Sequence, residues 1–389
     1  MRQIAKIGIL SLLMAQGISA QETSEAAIAN ALSKLGMMNI RIAVLPQQLI
    51  VGLEPTRYRF VPNGLAKAIR AIRALPGHDA DTLILVVHYN DLPIVTIQSQ
   101  GKDTSLHASW QTAYWKHLLE LEPVARTSDW RLDIPIGPGF RYQLGNFDQP
   151  VRTALDILIG MNLTIPHGIS LQGIMAVPVH NNFDNKKQLR MERLAVVVDK
   201  VLPRNLFCSM SAGFFSFNRL GAHLTGRKLL NDERWSLRCD LGFTGFSELA
   251  GPVSFAEKEK RLFPLYLVAA EYRWRRYDLN IRVTGGRFLY QDEGVALEIF
   301  RQMGEYRTGF FASKTSLGTN IGFNFSIPLA PRRYFPQGSV RIRVAQQFPV
   351  SYRFRGSTRD AQRYQPGNTL ADQLYNYYPT YVVREILKR

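Results

Sequence analysis

The sequence predicts a mainly β protein: an outer-membrane antiparallel β-barrel of about 12 to 14 strands preceded by a small α+β domain. Three observations predict it. From Phe140 onward, apolar and polar residues alternate with a period of two. No segment approaches the roughly 20 consecutive apolar residues of a membrane helix. The N-terminus reads as an export signal.

That signal comes first in the chain. MRQIAKIGILSLLMAQGISA carries Arg2 and Lys6, an apolar run from Ile7 to Ala15, and Ser19-Ala20 before the polar QETSE. A run of about nine apolar residues is too short to span a bilayer, so residues 1–20 are expected to be a signal peptide cleaved after Ala20. No Cys follows at the expected mature terminus to take a lipid. The chain has 389 residues and a formal charge of +17, which calls for an anionic partner. Export removes nucleic acid as that partner and leaves a membrane surface or an acidic polymer.

Residues 21–122 read as an α+β domain. Ala27, Ile28, Ala31, Leu32 and Leu35 recur at helical spacing, with Ser24 as cap and Gly36 as stop. IRIAVL, QLIVGLE and RYRFV fit short strands. A second helix is expected from Leu65 to Leu75, with Leu65, Ile69 and Ile72 opposite Lys67, Arg70 and Arg73, stopped by Pro76-Gly77. TLILVVH and PIVTIQS fit a hairpin around Asn90-Asp91, and a helix from Ser105 to Leu121 is expected to lead into a linker, 123–139.

Residues 140–356 form the predicted barrel. Leu155, Ile157, Ile159, Met161, Leu163 and Ile165 alternate with Asp156, Gly160, Asn162 and Thr164 over the length of a tilted membrane strand. Ile321, Phe323, Phe325 and Ile327 do so again in GTNIGFNFSIPL. The polar rows are rich in arginine: Arg238 beside Asp240, Arg273 and Arg275 beside Glu271, then Arg282, Arg341, Arg343 and Arg353. On a closed barrel these seven arginines converge on one lumen, making a positive path for an anionic polymer. Long loops near 180–188 and 247–261 fall on one rim if strands alternate, with the short turns PHG, LPRN and RRYD on the other. The tail, 357–389, has no terminal strand ending in Phe.

Cofactor and metal chemistry have no signature. Phosphate- and dinucleotide-binding fingerprints are missing, and the seven His lack metal-ligand spacing. Cys208 and Cys239 read as small apolar strand residues, with a disulfide between neighbouring strands as the alternative. Asp240 and Glu271 could make a glycosidase pair, but charge pairing with neighbouring arginines is the stronger reading. Tyr142, Tyr272, Trp274, Phe288 and Tyr290 fit an interfacial girdle better than sugar stacking, and Gly285-Gly286 and Gly309 fit close packing.

Over nearly its whole length the mature chain resembles the YjbH-like exopolysaccharide and group 4 capsule biosynthesis proteins of Gram-negative bacteria. NIRIAVLPQQLIVGLEPTRYRF and DTLILVVHYNDLPIVTI carry the likeness in the small domain. FRYQLGNFDQP, GISLQGIMAVPVHNNFD, AGFFSFNRLG and GRFLYQDEGVALEIFRQ carry it in the barrel part. The resemblance implies an outer-membrane barrel with a periplasmic N-terminal domain, encoded beside polysaccharide assembly and export functions. The expectation is a non-enzymatic barrel, in outer-membrane lipid, that assists export or surface assembly of an acidic exopolysaccharide or capsule alongside export partner proteins. The alternatives are a polysaccharide-modifying hydrolase of the envelope and a soluble exported sugar-binding β-sandwich.

Overall fold

The computed structural model describes residues 24–388, except 76–79, 102–104, 111, 125–126, 146–149, 183, 185, 231–232, 250–254, 258–261 and 355–358. The expected signal, the Pro76-Gly77 helix stop and much of the 247–261 loop lie outside the described residues. The chain divides into two compact units. The first comprises residues up to Tyr89, Pro93–Ser128 and the residues from Val382 onward; the second comprises Asn90–Leu92 and Asp129–Tyr381.

The first unit contains a five-stranded sheet in the order β1 (Met38–Leu45), β2 (Gln48–Glu54), β3 (Thr82–Tyr89), β4 (Leu92–Gln100), β5 (Leu106–Ser109). Helix α1 spans 24–35 and ends at Gly36, whose φ of +87° lets Met37 N–H turn back to Leu32 O at 3.1 Å. β1 and β2 pair antiparallel, whereas β2 and β3 pair parallel and need a crossover, which α2 (Val61–Arg73) supplies. Pro62 opens α2 where a missing N–H costs nothing. Leu83 to Val87 are all buried, the continuous apolar run of a strand covered on both faces. Asn90 and Asp91 both have positive φ, as the tight β3–β4 turn requires.

Three expectations for this region fail. RYRFV is a turn leading into α2, because Pro62 starts the helix four residues earlier than periodicity suggested. The helix expected from Ser105 to Leu121 is strand β5, paired with β4, followed by a 3-10 turn, Ala113–Trp115, and the short α3 (Lys116–Leu119). The linker 123–139 holds the start of β6, so the large sheet begins at Leu132 instead of 140.

The second unit contains one large sheet. Its main path runs through β6 (Leu132–Leu144), β7 (Val151–Ile165), β8 (Ile169–Asn181), β9 (Arg190–Leu202), β10 (Leu206–Phe215), β11 (Arg219–Leu229) and β12 (Trp235–Leu249). It continues through β14 (Phe263–Trp274), β15 (Leu279–Arg287), β16 (Glu293–Met303), β17 (Tyr306–Thr315) and β18 (Gly318–Pro328), with β13 (Phe255–Glu257) paired to β12 off the path. Each neighbour pair along this run is antiparallel. The two ends are β19 (Val340–Val344), parallel to β6, and β20 (Gln347–Arg353), antiparallel to β18. Only Ala345 and Gln346 separate β19 from β20. Ala345 N–H donates to Ile136 O at 2.8 Å, and Gln346 O accepts from Leu329 N–H at 3.2 Å. One stretch of chain, 340–353, therefore bonds to both outer strands of the series.

Burial on this sheet is reversed relative to a water-soluble protein. Met210, Phe243, Val268, Phe310 and Ile321 are 61%, 56%, 62%, 68% and 55% exposed. Ser209, Thr225, Arg227, Asp240, Glu271 and Arg273 on the opposite face are at most 4% exposed. The registers carry the apolar row from strand to strand, with Cys239 opposite Val268 and Leu241 opposite Tyr266. Among the described residues of the second unit there is no other sheet to cover it. The antiparallel order puts the connections that lead into β9 and β14 at one end of the strands and the 166–168, 203–205 and 275–278 turns at the other, as the alternation implied. Cys208 and Cys239 both pair with Gly226, so β11 lies between them and their Cα atoms are about 10 Å apart, too far for a disulfide. Both thiols are free.

Gly137 on β6 faces the shared stretch: a Cβ there would lie 2.7 Å from Ala345 Cβ. Gly137→Val should destabilise the folded protein by about 1–3 kcal/mol through overpacking. Gly226→Val, whose added Cβ meets nothing within 4 Å, should not. Urea unfolding of both variants measures the difference.

Candidate functional site

The polar face is filled by the chain's own C-terminal tail. Asp360 accepts from the Ser313 hydroxyl at 3.2 Å, and Ala361 N–H donates to Asp292 at 2.7 Å. Tyr364 stacks on Phe215 and its hydroxyl lies 2.9 Å from His223 Nδ1. Asn368 N–H donates to Gln172 and Leu370 N–H to Asp199, at 2.7 and 3.0 Å. Helix α4 (Leu370–Gln373) then brings Asp372 to Arg238, and Tyr381, on α5 (Pro379–Leu387), accepts from Gln302 at 3.0 Å. The strand residues in these contacts span β8 to β17, so the tail is stitched across most of the sheet. Gly242 makes room for it: a Cβ there would sit 1.7 Å from the Tyr364 hydroxyl.

At the centre lies Glu271, 4% exposed. One carboxylate oxygen accepts from Arg227 at 3.0 Å; the other accepts from Arg282 Nε at 3.0 Å and the Tyr375 hydroxyl at 2.5 Å. Burial pushes the Tyr375 hydroxyl up beyond its ordinary range, so it stays neutral and donates. Arg282 also pairs with Glu298 at 2.9 Å, and Arg227 lies 4.3 Å over the Tyr375 ring. Asp240 is held comparably by Nε and Nη2 of Arg238, by Thr225 and by His223. Each carboxylate is committed to structural partners, which supports charge pairing over a glycosidase pair.

The expected arginines fall into three groups. Arg238, Arg273 and Arg282 lie on the polar face and are ion-paired, Arg273 with Glu233 at 3.2 Å and Asp278 at 2.7 Å. Arg341 and Arg343 on β19 share Asp133 at 2.8 and 2.6 Å, while Arg353 on β20 donates to Asp360 O at 3.2 Å. Arg275 is not on the polar row: β14 ends at Trp274, and Arg275 belongs to the following turn. The expectation of a row of open positive charge is therefore corrected at most of these positions, since their carboxylate partners are built in.

Three arginines that the sequence reading passed over lack such partners. Among the described residues, Arg193 on β9, Arg307 on β17 and Arg363 in the tail have no carboxylate within 4.0 Å. Arg193 and Arg307 stand on polar rows. Alternation could have revealed Arg307, which shares its parity with Gly309 and Ser313. It could not reveal Arg193, followed by the uninterrupted LAVVV, or Arg363, which is outside any periodic segment. Arg193 and Arg363 line a cavity of about 810 Å³ with Arg238, Arg282, Arg353 and the tail. Arg307 lines an adjoining cavity of about 750 Å³, walled by Tyr142, Phe300 and Tyr352. Compared with models of known protein families, with curated proteins and with solved structures, the chain matches none.

Two measurements probe this site. Glu271→Gln leaves two buried guanidiniums short of their counter-charge and should cost about 3–5 kcal/mol in unfolding. Asp292, in the β15–β16 connection, is pulled upward by burial. The donors from Ala361, Ser316 and Leu317 more than offset this, so its carboxyl titrates below the usual range. A depressed folded value stabilises above the unfolded carboxylate pKa of about 4, and that contribution is lost as pH falls through the folded value. Asp292→Asn should flatten the acid side of the stability profile; an unchanged profile would remove Asp292 from the tail's anchorage.

Proposed function

We propose that this chain is an outer-membrane β-barrel of a Gram-negative envelope, stoppered by its own tail, that assists export or surface assembly of an acidic exopolysaccharide without itself being an enzyme. The observation that carries the membrane reading is the reversed burial: a band of exposed Met, Phe, Val and Ile around a face of buried ions. In water that band would forfeit about 25 cal/mol for each Å² of apolar surface left uncovered. In lipid it is the lipid-facing row of a transmembrane strand.

Closure into a barrel is part of this proposal. The twelve strands of the path from β6 to β18 are joined at their two ends by 340–353, which acts as a thirteenth. An odd number of strands alternating up and down needs one parallel pair, and β19 with β6 provides it. The long connections would face the cell exterior, and the short turns the periplasm, where β6 begins and the first unit would reside.

The polysaccharide assignment rests on the family resemblance in FRYQLGNFDQP through GRFLYQDEGVALEIFRQ. The filled polar face favours an assisting role beside export partners over passage of polymer through this chain alone.

Three outcomes test the reading. Phe323→Arg should cost about 2–4 kcal/mol for folding into lipid, while Asn324→Arg on the opposite face should be tolerated. Lys186→Cys, in the 182–189 connection, should react with an impermeant thiol reagent on intact cells, whereas Lys67→Cys in α2 should not. Deletion of the gene should reduce surface acidic polymer, and unchanged polymer would retire the functional assignment while leaving the barrel.

A further inference from the structure

The two cavities adjoin, sharing Arg282, Glu298, Asn324, Ser351, Arg353 and Gln365. Their charges do not balance. Glu298 and Asp372 line the larger one, but Glu298 is taken by Arg282 and Asp372 by Arg238. Arg193, Arg353 and Arg363 line it without a carboxylate among the described residues. Arg193 is 9% exposed, and its Nε has no hydrogen-bond acceptor. Arg363 lies over the Phe288 face, 5.5 Å from the ring centroid. A buried guanidinium without a counter-ion is costly; Arg193 is such a group, and it borders a space together with the half-buried Arg353 and Arg363. A planar, forked donor of this kind matches a carboxylate.

The rest of the lining describes what carries that carboxylate. Phe300, buried on the polar face, forms one wall, and Asn324, Ser351 and Gln365 add neutral donors and acceptors, whereas Tyr142 and Tyr352, stacked 6.1 Å apart, border the opening on the side of Phe323, the register partner of Tyr352. Aromatic faces with amide and hydroxyl groups suit hydroxylated rings, and about 750–810 Å³ is within the size of small-ligand sites.

We propose that this cavity binds the carboxylate groups of an acidic sugar oligomer through Arg193, Arg353 and Arg363, with Arg307 at its aromatic end. The proposal rests on the polysaccharide reading above and names the polymer's chemical class as a uronate. Burial lowers the Arg363 pKa, and the neighbouring Arg282 charge lowers it further, a penalty that a bound anion would relieve.

Calorimetric titration of the full chain in detergent with trigalacturonate, its methyl ester and inorganic phosphate tests it. The acid should bind. The neutral ester should bind at least tenfold more weakly, and binding should weaken as salt rises. Arg193→Gln and Arg363→Gln should each reduce affinity tenfold or more, with Arg275→Gln unchanged. Heat-modifiable gel migration checks that each variant is folded; if Arg193→Gln does not fold, Arg353→Gln replaces it. No binding of the acid, equal binding of the ester, or indifference to the arginine variants overturns the proposal. Phosphate competing as well as the oligomer overturns it in favour of a phosphorylated head group. Flotation with phospholipid vesicles, run in parallel, separates the two readings. Binding without lipid insertion retires the barrel and keeps the site; insertion without binding retires the site alone.

Discussion

Withdrawing a carboxylate and two guanidinium groups from water costs several kcal/mol per ion, and only the completeness of the arrangement around Glu271 offsets it. Both oxygens are used, Arg282 has a second acid in Glu298, and Arg227 reaches across to Ala371 O and the Tyr378 hydroxyl at 3.1 and 3.0 Å. Four strands, β11, β14, β15 and β16, are tied through this one network. The tail is tied with them, because Tyr375 and Tyr378 are the network's neutral members. A polar interior of this kind is stable only when nearly every member is satisfied, which gives the tail a reason to be there.

The second constraint is the edge. A sheet ending in open strands presents unpaired N–H and C=O groups, which water can satisfy and lipid cannot. In the proposed barrel the stretch 340–353 would meet this on both sides, since it bonds to β6 with its first half and to β18 with its second. The division follows from the even path: β6 runs up and β18 runs down, so any strand between them must be parallel to one. The short β19 carries the parallel register, the slightly weaker pairing per residue, and Asp133, shared between Arg341 and Arg343, reinforces that seam from the polar side.

Much of the large sheet was legible because its physics is local. Alternation over ten or more residues, as in Leu155 to Ile165 or Ile321 to Ile327, survives any uncertainty about partners. Where a run was apolar in both registers, as at LAVVV, the inward Arg193 was hidden, and strand β5 was read as a helix because a short edge strand has too few residues to show a period. The seam at 340–353 was illegible for another reason: its two halves look like separate strands, and their common role exists only once both edges are present. The tail was illegible too, since Tyr364, Tyr375 and Tyr378 have no periodic signature and their partners lie on strands far away in sequence.

The net charge takes on a different meaning once these pairings are known. A surplus of +17 suggested a positive interior, yet Arg227, Arg238, Arg273, Arg282, Arg341 and Arg343 each face a carboxylate. The polar face is therefore uneven. From β11 to β15 the tail and the acids pair with Arg227, Arg238, Arg273 and Arg282. On β9, β17, β20 and the stretch 361–368, arginines without acids among the described residues border open volume. Field strength in a low-dielectric enclosure depends on the charges that remain uncompensated near a point, not on the total. The tail thus does two physical jobs at once: Asp372 cancels the charge of Arg238, and Arg363 adds charge of its own, so that the element covering the polar face also sharpens the proposed anion site.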